Sequence, residues 1–256
     1  VVIGQFIAVK VKRSRPKSDK ISRYRVLFGV WVMLKFVSHF IGGLLVANAF
    51  EWVAHKYILH GTPRKGQPRF SPSPASMNSH WTHHRMVRKT QFADECYEQG
   101  VSHERTRLEL LSLGVVAGTM TLLWPVSKGM VAASWYGAAR YFYVHQRAHL
   151  EPEWAKKRVP WHYDHHMNTI QDANWCVTRP WFDYVMGTRE ASSRALIESN
   201  PLGLALPQWL EQPLNRTVRK LVPQVFVRLE RNIVQEEQRR VAQVDDMPEA
   251  PLQSVA

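Results

Sequence analysis

Residues 26–61 read VLFGVWVMLKFVSHFIGGLLVANAFEWVAHKYILHG. Up to Phe50 the run is apolar, interrupted by Lys35, Ser38 and His39. As one helix, residues 26–50 would cover about 37 Å, enough to span a bilayer with some tilt. Two histidines, His55 and His60, follow directly, so the apolar run ends in side chains suited to holding a metal. Five residues apart, they diverge by about 140° on an ideal helix. They need a bend, a helix end, or two different metals.

Upstream lies most of the charge. The chain has 34 Lys and Arg against 21 Asp and Glu, a net +13. More than half of the excess falls between residues 10 and 25, just before the apolar run. The positive-inside rule and anionic lipid headgroups favour that arrangement. No nucleic-acid-binding motif occurs, so the basicity reads as membrane anchoring and no nucleic-acid partner is expected. The segment VVIGQFIAV at 1–9 reads as the tail of a preceding helix or as an alternative start. No secretory signal is expected, because this apolar stretch precedes the basic cluster instead of following it. Two cysteines, Cys96 and Cys176, exclude a disulfide scaffold and a cysteine-based zinc finger. A mean hydropathy of −0.31 speaks against a polytopic transporter but not against a membrane protein with a large polar head.

Downstream, 108–125 (LELLSLGVVAGTMTLLWP) and 128–144 (KGMVAASWYGAARYFYV) are two more apolar stretches. They read as a helical hairpin turning at Pro125, with Trp124 and the aromatics of 135–143 at the membrane interface. Residues 61–79 are dense in Pro, Ser and Gly and read as a loop. Residues 191–215, with Pro201, Pro207 and Pro213, read as irregular. Leu221, Val225, Leu229, Ile233 and Val241 then mark an amphipathic helix, with Pro223 near its start or kinking it. The expected organisation is a basic N-terminal segment (1–25), a membrane-embedded domain with four histidine boxes (26–190), an amphipathic C-terminal region (191–244) and a flexible tail (245–256).

Ten of the twelve histidines fall in four windows of five or six residues. These hold His55 and His60; His80, His83 and His84; His145 and His149; and His162, His165 and His166. Two windows share the pattern His-x-x-His-His, whose three imidazoles lie within about 100° of one helix face. His145 and His149 also share a face. Ten buried imidazoles would otherwise need ten sets of hydrogen-bond partners, so metal ligation is their economical use. Ten ligands exceed what one ion accepts, which points to two metals. The carboxylates of soluble di-iron bundles are absent. Candidates to orient the imidazoles from behind are Glu51, one turn before His55, Asp164 inside the last box, and Asn174 after it. His39 and His103 read as ordinary polar residues.

The strings EWVAHKYILHG (51–61), HWTHH (80–84), HQRAH (145–149) and HYDHH (162–166), followed by NWCVTRPWFDYVMGT (174–188), resemble the fatty acid hydroxylase/sterol desaturase superfamily. The residue gaps within the boxes, and the trailing string ending Val185–Met186–Gly187–Thr188, look most like its fatty acid 2-hydroxylase branch. The resemblance covers about residues 25–190. It implies an all-α fold: integral membrane helices with a cytosolic, His-rich helical cap holding a di-metal site. It implies a di-iron membrane monooxygenase, an oxidoreductase in which the ten histidines hold two iron ions, with zinc as the stand-in of a purified form. O2 would be the co-substrate and a lipid from the bilayer the substrate, hydroxylated at a C–H bond of a fatty acyl chain. Electrons would come from an external protein of ferredoxin or cytochrome b5 type with its reductase. No catalytic side chain is expected beyond the metal ligands.

Two rival readings stand beside this one. One is a sterol or carotenoid hydroxylase or desaturase of the same superfamily. The other is a metal-binding membrane protein without oxygen chemistry. The topology also carries a conflict. Both the basic N-terminal segment and the histidine boxes belong in the cytoplasm, yet a single crossing at 26–50 would separate them. The expected resolution is a re-entrant or broken helix at Gly42 and Gly43, or a misread basic segment.

Overall fold

The run at 26–50 lies inside one continuous helix, α1 (Lys17–Ala54), in a computed structural model that describes residues 17–192 and 194–245. The basic segment therefore lies outside the described residues up to residue 16, and the expected flexible tail does so from 246. The expected break at Gly42 and Gly43 is not there. Gly43 admits a neighbouring helix instead: a Cβ on it would lie 2.6 Å from the Ala133 Cβ. Gly129 does the same in reverse, facing the α1 backbone at Phe36 and Phe40. Small residues facing each other let two helix backbones approach closely, as in membrane helix pairs. Lys35 does not interrupt the helix, since its ammonium lies 5.4 Å from the Trp31 ring centroid on the exposed surface.

The partner of that contact is α4 (Lys128–Leu150), which also packs on α3 (Glu104–Met120). The α3–α4 hairpin read from the sequence is present. Its turn runs through a short 3-10 segment at Thr121–Leu123 and ends where Ser127 caps α4 through the Met130 N–H. His39 of α1 meets that cap, with Nδ1 2.7 Å from the Ser127 hydroxyl. Two segments, Tyr24–Leu59 and Glu104–Leu123, are long and apolar enough to cross a bilayer. The third stretch, 128–144, is not among them. Its helix buries Gly129, Val131 and Ala133 against neighbours and carries Arg140. The lower faces of α1 and α3 leave large apolar side chains exposed, among them Phe28, Trp31, Leu111, Val115 and Leu122. An exposed apolar surface of that extent is a surface for lipid or protein, not for water.

Above this belt the chain is more compact in its turns. Residues 61–79 are not all loop. They form a two-stranded hairpin, β1 (Thr62–Arg64) and β2 (Gln67–Phe70), and then open α2 (Pro74–Lys89). Gly66, at φ 68°, makes the tight turn. Pro74 sits in the first turn of α2, where its missing N–H costs nothing. After α4 come α5 (Pro152–Arg158) and α6 (Pro160–Met167), each opened by its proline, which ends the preceding helix. Residues Pro160 to His166 of α6 are all buried. The aliphatic and aromatic filling beside it comes from Val87, Phe92, Val144, Ala148, Val159, Trp161 and Val177.

The C-terminal region closes one flank. After α7 (Trp181–Met186), two helices, α8 (Gln208–Leu221) and α9 (Pro223–Asp245), stand where the sequence suggested one. Pro223 opens α9, and α8 reaches back through Pro213 into the stretch read as irregular. Val218, Val225, Phe226 and Leu229 pack on Tyr184 of α7.

Candidate metal centre

The first histidine box is built on a widened turn. Past Ala54 the helix continues as a π-turn, His55–Leu59, closed by the His60 N–H donating to the His55 carbonyl at 2.9 Å. An i→i+5 turn is wider than an α turn. It brings residues five apart to the same side and removes the divergence expected for an ideal helix. The rings of His55 and His60 lie 5.2 Å apart. His80, His83 and His84 project from α2, His145 and His149 from the end of α4, and His162, His165 and His166 from α6. All ten are buried.

They sort into two sets. In each, the candidate ligand atoms lie within 4.8 Å of one another. The first set is His55, His60, His80, His84 and His165; the second is His83, His145, His149 and His166. His162 adjoins the second set, with Nε2 3.3 Å from that of His149 and its ring 4.8 Å from that of His166. The arrangement has an internal twofold logic. Each set takes one histidine pair (55 and 60, or 145 and 149) together with the outer histidines of one His-x-x-His-His box, His80 and His84 in the first and His166, with His162 adjoining, in the second. The middle histidine of each box, His83 or His165, crosses to the other set.

Hydrogen bonding shows what these nitrogens can do. His55 Nδ1 lies 2.6 Å from the Trp175 carbonyl and His165 Nδ1 lies 2.8 Å from the Ala173 carbonyl. A carbonyl only accepts, so both Nδ1 atoms carry the proton and both Nε2 atoms are bare lone pairs. The Nε2 atoms of His60, His84 and His165 form a triangle with sides of 3.1 to 3.2 Å. Protons cannot satisfy it. With His165 bare, His60 and His84 would both have to donate to it, and their own contact would set hydrogen against hydrogen. A cation among the three satisfies all of them. His80 Nε2 lies 2.9 Å from His55 and 3.1 Å from His84. Imidazole nitrogens about 2.1 Å from an ion, at right angles across it, are about 3 Å apart. The first set therefore fits a metal.

The second set is held differently. His83 Nδ1 donates to Asp94 Oδ2 at 2.7 Å, and His145 Nδ1 faces Glu109 Oε1 at 2.6 Å and the Tyr97 hydroxyl at 2.9 Å. His149 Nδ1 donates to the Phe92 carbonyl at 2.9 Å. Each bond aims the Nε2 lone pair inward. The buried Nε2 atoms of His83 and His166 have no hydrogen-bond partner. Leaving one such atom unsatisfied costs about 1–3 kcal/mol, which a bound ion removes.

Backbone strain marks the same places. Among the described residues, the non-glycine residues with positive φ are Gln91, Phe92 and Asn174, at 55°, 83° and 58°. Phe92 turns its carbonyl onto His149, and Asn174 stands between the carbonyls that hold His165 and His55. Left-handed backbone costs stability and persists where the surroundings fix it.

Burial also sets the charge state. It pushes His60 down to about 2 and His165 down to about 3. It holds His80, His84, His149, His162 and His166 well below the ordinary histidine range, with the neighbouring rings adding to the effect. His83 is lowered too, although Asp94 pulls the other way. Neutral imidazoles at neutral pH are what a metal requires.

The three residues suggested to orient imidazoles act elsewhere. Among the described residues, none of Glu51, Asp164 and Asn174 bonds to a ring. Glu51 accepts from the Val177 and Thr178 N–H groups and the Thr178 hydroxyl. It thereby clamps α1 to the chain that carries the Trp175 carbonyl. Asp164 pairs with buried Arg189 at 2.8 Å, and Arg189 also pairs with Glu198 at 2.8 Å. Asn174 ties its loop to the Glu190 N–H and carbonyl. The residues that do orient rings, Asp94, Glu109 and Tyr97, were missed. Glu109 carried a signal, as a lone acid in an apolar run. His39 and His103 lie outside both sets; His103 caps α3 by accepting the Arg105 N–H at 3.2 Å.

No protein-family model, curated protein or solved structure matches this chain.

Proposed function

We propose that this chain is an integral-membrane di-iron monooxygenase that hydroxylates an unactivated C–H bond in a fatty acyl lipid. The observation that carries the reading is the placement of two converging sets of buried imidazoles at the end of α1, whose other end is apolar and exposed. The order of the four boxes, resembling the hydroxylase superfamily, supports it. Five imidazoles around one ion exceed the four ligands of a structural zinc site. An ion that accepts more ligands and changes oxidation state suits the donor set better. When bound, the ions supply reductive activation of O2: one oxygen atom enters the C–H bond, and the other leaves as water with two electrons and two protons.

The chain's own residues do the rest. The carbonyls of Trp175, Ala173 and Phe92 and the carboxylates of Asp94 and Glu109 fix which nitrogen of each ring faces inward. Trp52, Trp175, Phe92 and Trp161, all buried, keep bulk water from the histidines. The apolar flanks of α1 and α3 give the acyl chain a route from the bilayer. Electrons come from a separate ferredoxin or cytochrome b5 type protein with its reductase. That donor requires the histidine head to face the cytoplasm; because α1 is unbroken, its basic N-terminal end then stands on the opposite side, so the orientation rests on the donor and not on the positive-inside rule.

The test is metal and product together. Protein expressed with added iron and purified in detergent should hold about two irons per chain and consume O2 when given a reduced donor. Cells carrying the chain should gain a hydroxylated lipid. Less than one metal per chain refutes the reading. Full metal without O2 consumption or new lipid favours a non-catalytic metal-binding protein, and a hydroxylated sterol or carotenoid moves the substrate class.

A further inference from the structure

Two arginines, Arg140 of α4 and Arg179, stand where α1, α4 and the chain after the last histidine box meet. Gly137 of α4 packs on α1, since a Cβ there would touch the Ala47 Cβ at 3.4 Å. That contact fixes the register. Arg140, almost one turn further on, stands level with Asn48 and Glu51, and His145 lies five residues beyond it, about 7.5 Å along the axis. At the same level Asn48 clasps the other chain. Its Nδ2 donates to the Arg179 carbonyl at 2.9 Å, and its Oδ1 accepts the Phe182 N–H at 3.0 Å. The Arg179 side chain donates to the Gly203 carbonyl at 2.7 Å. Burial and the neighbouring Arg140 charge push Arg179 down to about 10, partly offset by Tyr136.

Among the described residues, neither arginine forms an ion pair, and both are half-buried. The carboxylates of this region are already engaged. Glu51 is held by Val177 and Thr178, and Asp183 by the Trp175 and Cys176 N–H groups and the Thr188 hydroxyl. Two partly desolvated cations in one region are unfavourable without a counter-charge. The surface beside them is apolar: Tyr136 packs on Phe40 of α1 at 5.9 Å and is itself exposed. An anion arriving here with a hydrocarbon chain attached would satisfy both features.

We propose that Arg140 and Arg179 bind the acidic head group, a carboxylate or a phosphate monoester, of the acyl lipid whose chain lies along the apolar flank of α1. The word substrate for that lipid rests on the hydroxylase reading; the anion site rests on its own geometry. The experiment is a binding titration of the purified protein in nanodiscs of phosphatidylcholine, read by tryptophan fluorescence without turnover. The probes are a long-chain fatty acid, its methyl ester, and the lysophosphatidate of the same chain. At least one acidic probe should bind about tenfold tighter than the ester, the ratio expected when one charge-assisted contact is lost. The tighter acid identifies the head group.

Arg140→Gln should weaken the acidic probe about tenfold and leave the ester unchanged. Arg140 holds no hydrogen bond within the described fold, so this variant should fold normally; circular dichroism checks it. Arg179→Gln should act in the same direction while also losing the Gly203 contact. Equal affinity for acids and ester, or wild-type acid binding by Arg140→Gln, overturns the proposal. Acid-selective binding with no hydroxylated product would leave this site standing and remove the hydroxylase reading.

Discussion

The two halves of the histidine set match in ligand plan and differ in what stands behind the ligands. Each half contributes a pair and a His-x-x-His-His box, and each sends the middle histidine of its box across to the other half. The first set is backed by main-chain carbonyls, those of Trp175 and Ala173. The second is backed by two carboxylates, Asp94 and Glu109, and one carbonyl. A carboxylate behind an imidazole raises its basicity more than a neutral carbonyl does. The second position should therefore hold its ion more tightly and tolerate a higher charge on it. The first rests on neutral carbonyls, placed by the left-handed turn at Asn174.

The sharpest way to break this comparison is to remove a crossing histidine. His165→Ala should empty the first position and His83→Ala the second. Each should lower bound iron by about one ion per chain and abolish hydroxylation with membrane insertion intact. Metal analysis decides it, and full metal content in either variant would remove that residue from its set. A smaller and one-sided effect is expected behind the ligands. Asp94→Asn should weaken the second position by about 10–100-fold against a competing chelator and spare the first. If both weaken equally, the two positions are not independently supported. The smallest effect should come from Asn174→Ala. It should cost about 1–3 kcal/mol of stability through its positive φ and lost hydrogen bonds, and loosen the first position only. Asn174→Gly keeps the turn and should recover part of that loss in a thermal melt.

The ligands were legible because helical spacing puts three imidazoles of His-x-x-His-His on one face whatever surrounds them. The hairpin at 108–144 was legible because two apolar runs flank a proline. The ligand supports were not, for a physical reason. A carbonyl is present at every residue, and only the tertiary fold turns those of Phe92, Ala173 and Trp175 onto rings. Asp94 sits in a polar stretch where an acid is unremarked. Glu51, Asp164 and Asn174 were sensible from sequence distance, yet packing spends them on holding the loop and on the buried Arg189. The glycines at 42 and 43 suggested a break because glycine weakens a helix. Here the missing side chain at Gly43 makes room for α4. The hairpin at 62–70 was hidden by prolines in both short strands, which lack the alternation that marks a strand.

The π-turn at the end of α1 can also be counted as an insertion. On an uninterrupted α-helix, histidines four apart share a face, as His145 and His149 do. His55 and His60 are the same pair with one residue added, and the i→i+5 turn absorbs it without moving the second ring off the site. The spacing of five is then no irregularity in the ligand plan. It makes the first box the counterpart of the third, and the four boxes reduce to one motif written twice, with a single extra residue in the first copy.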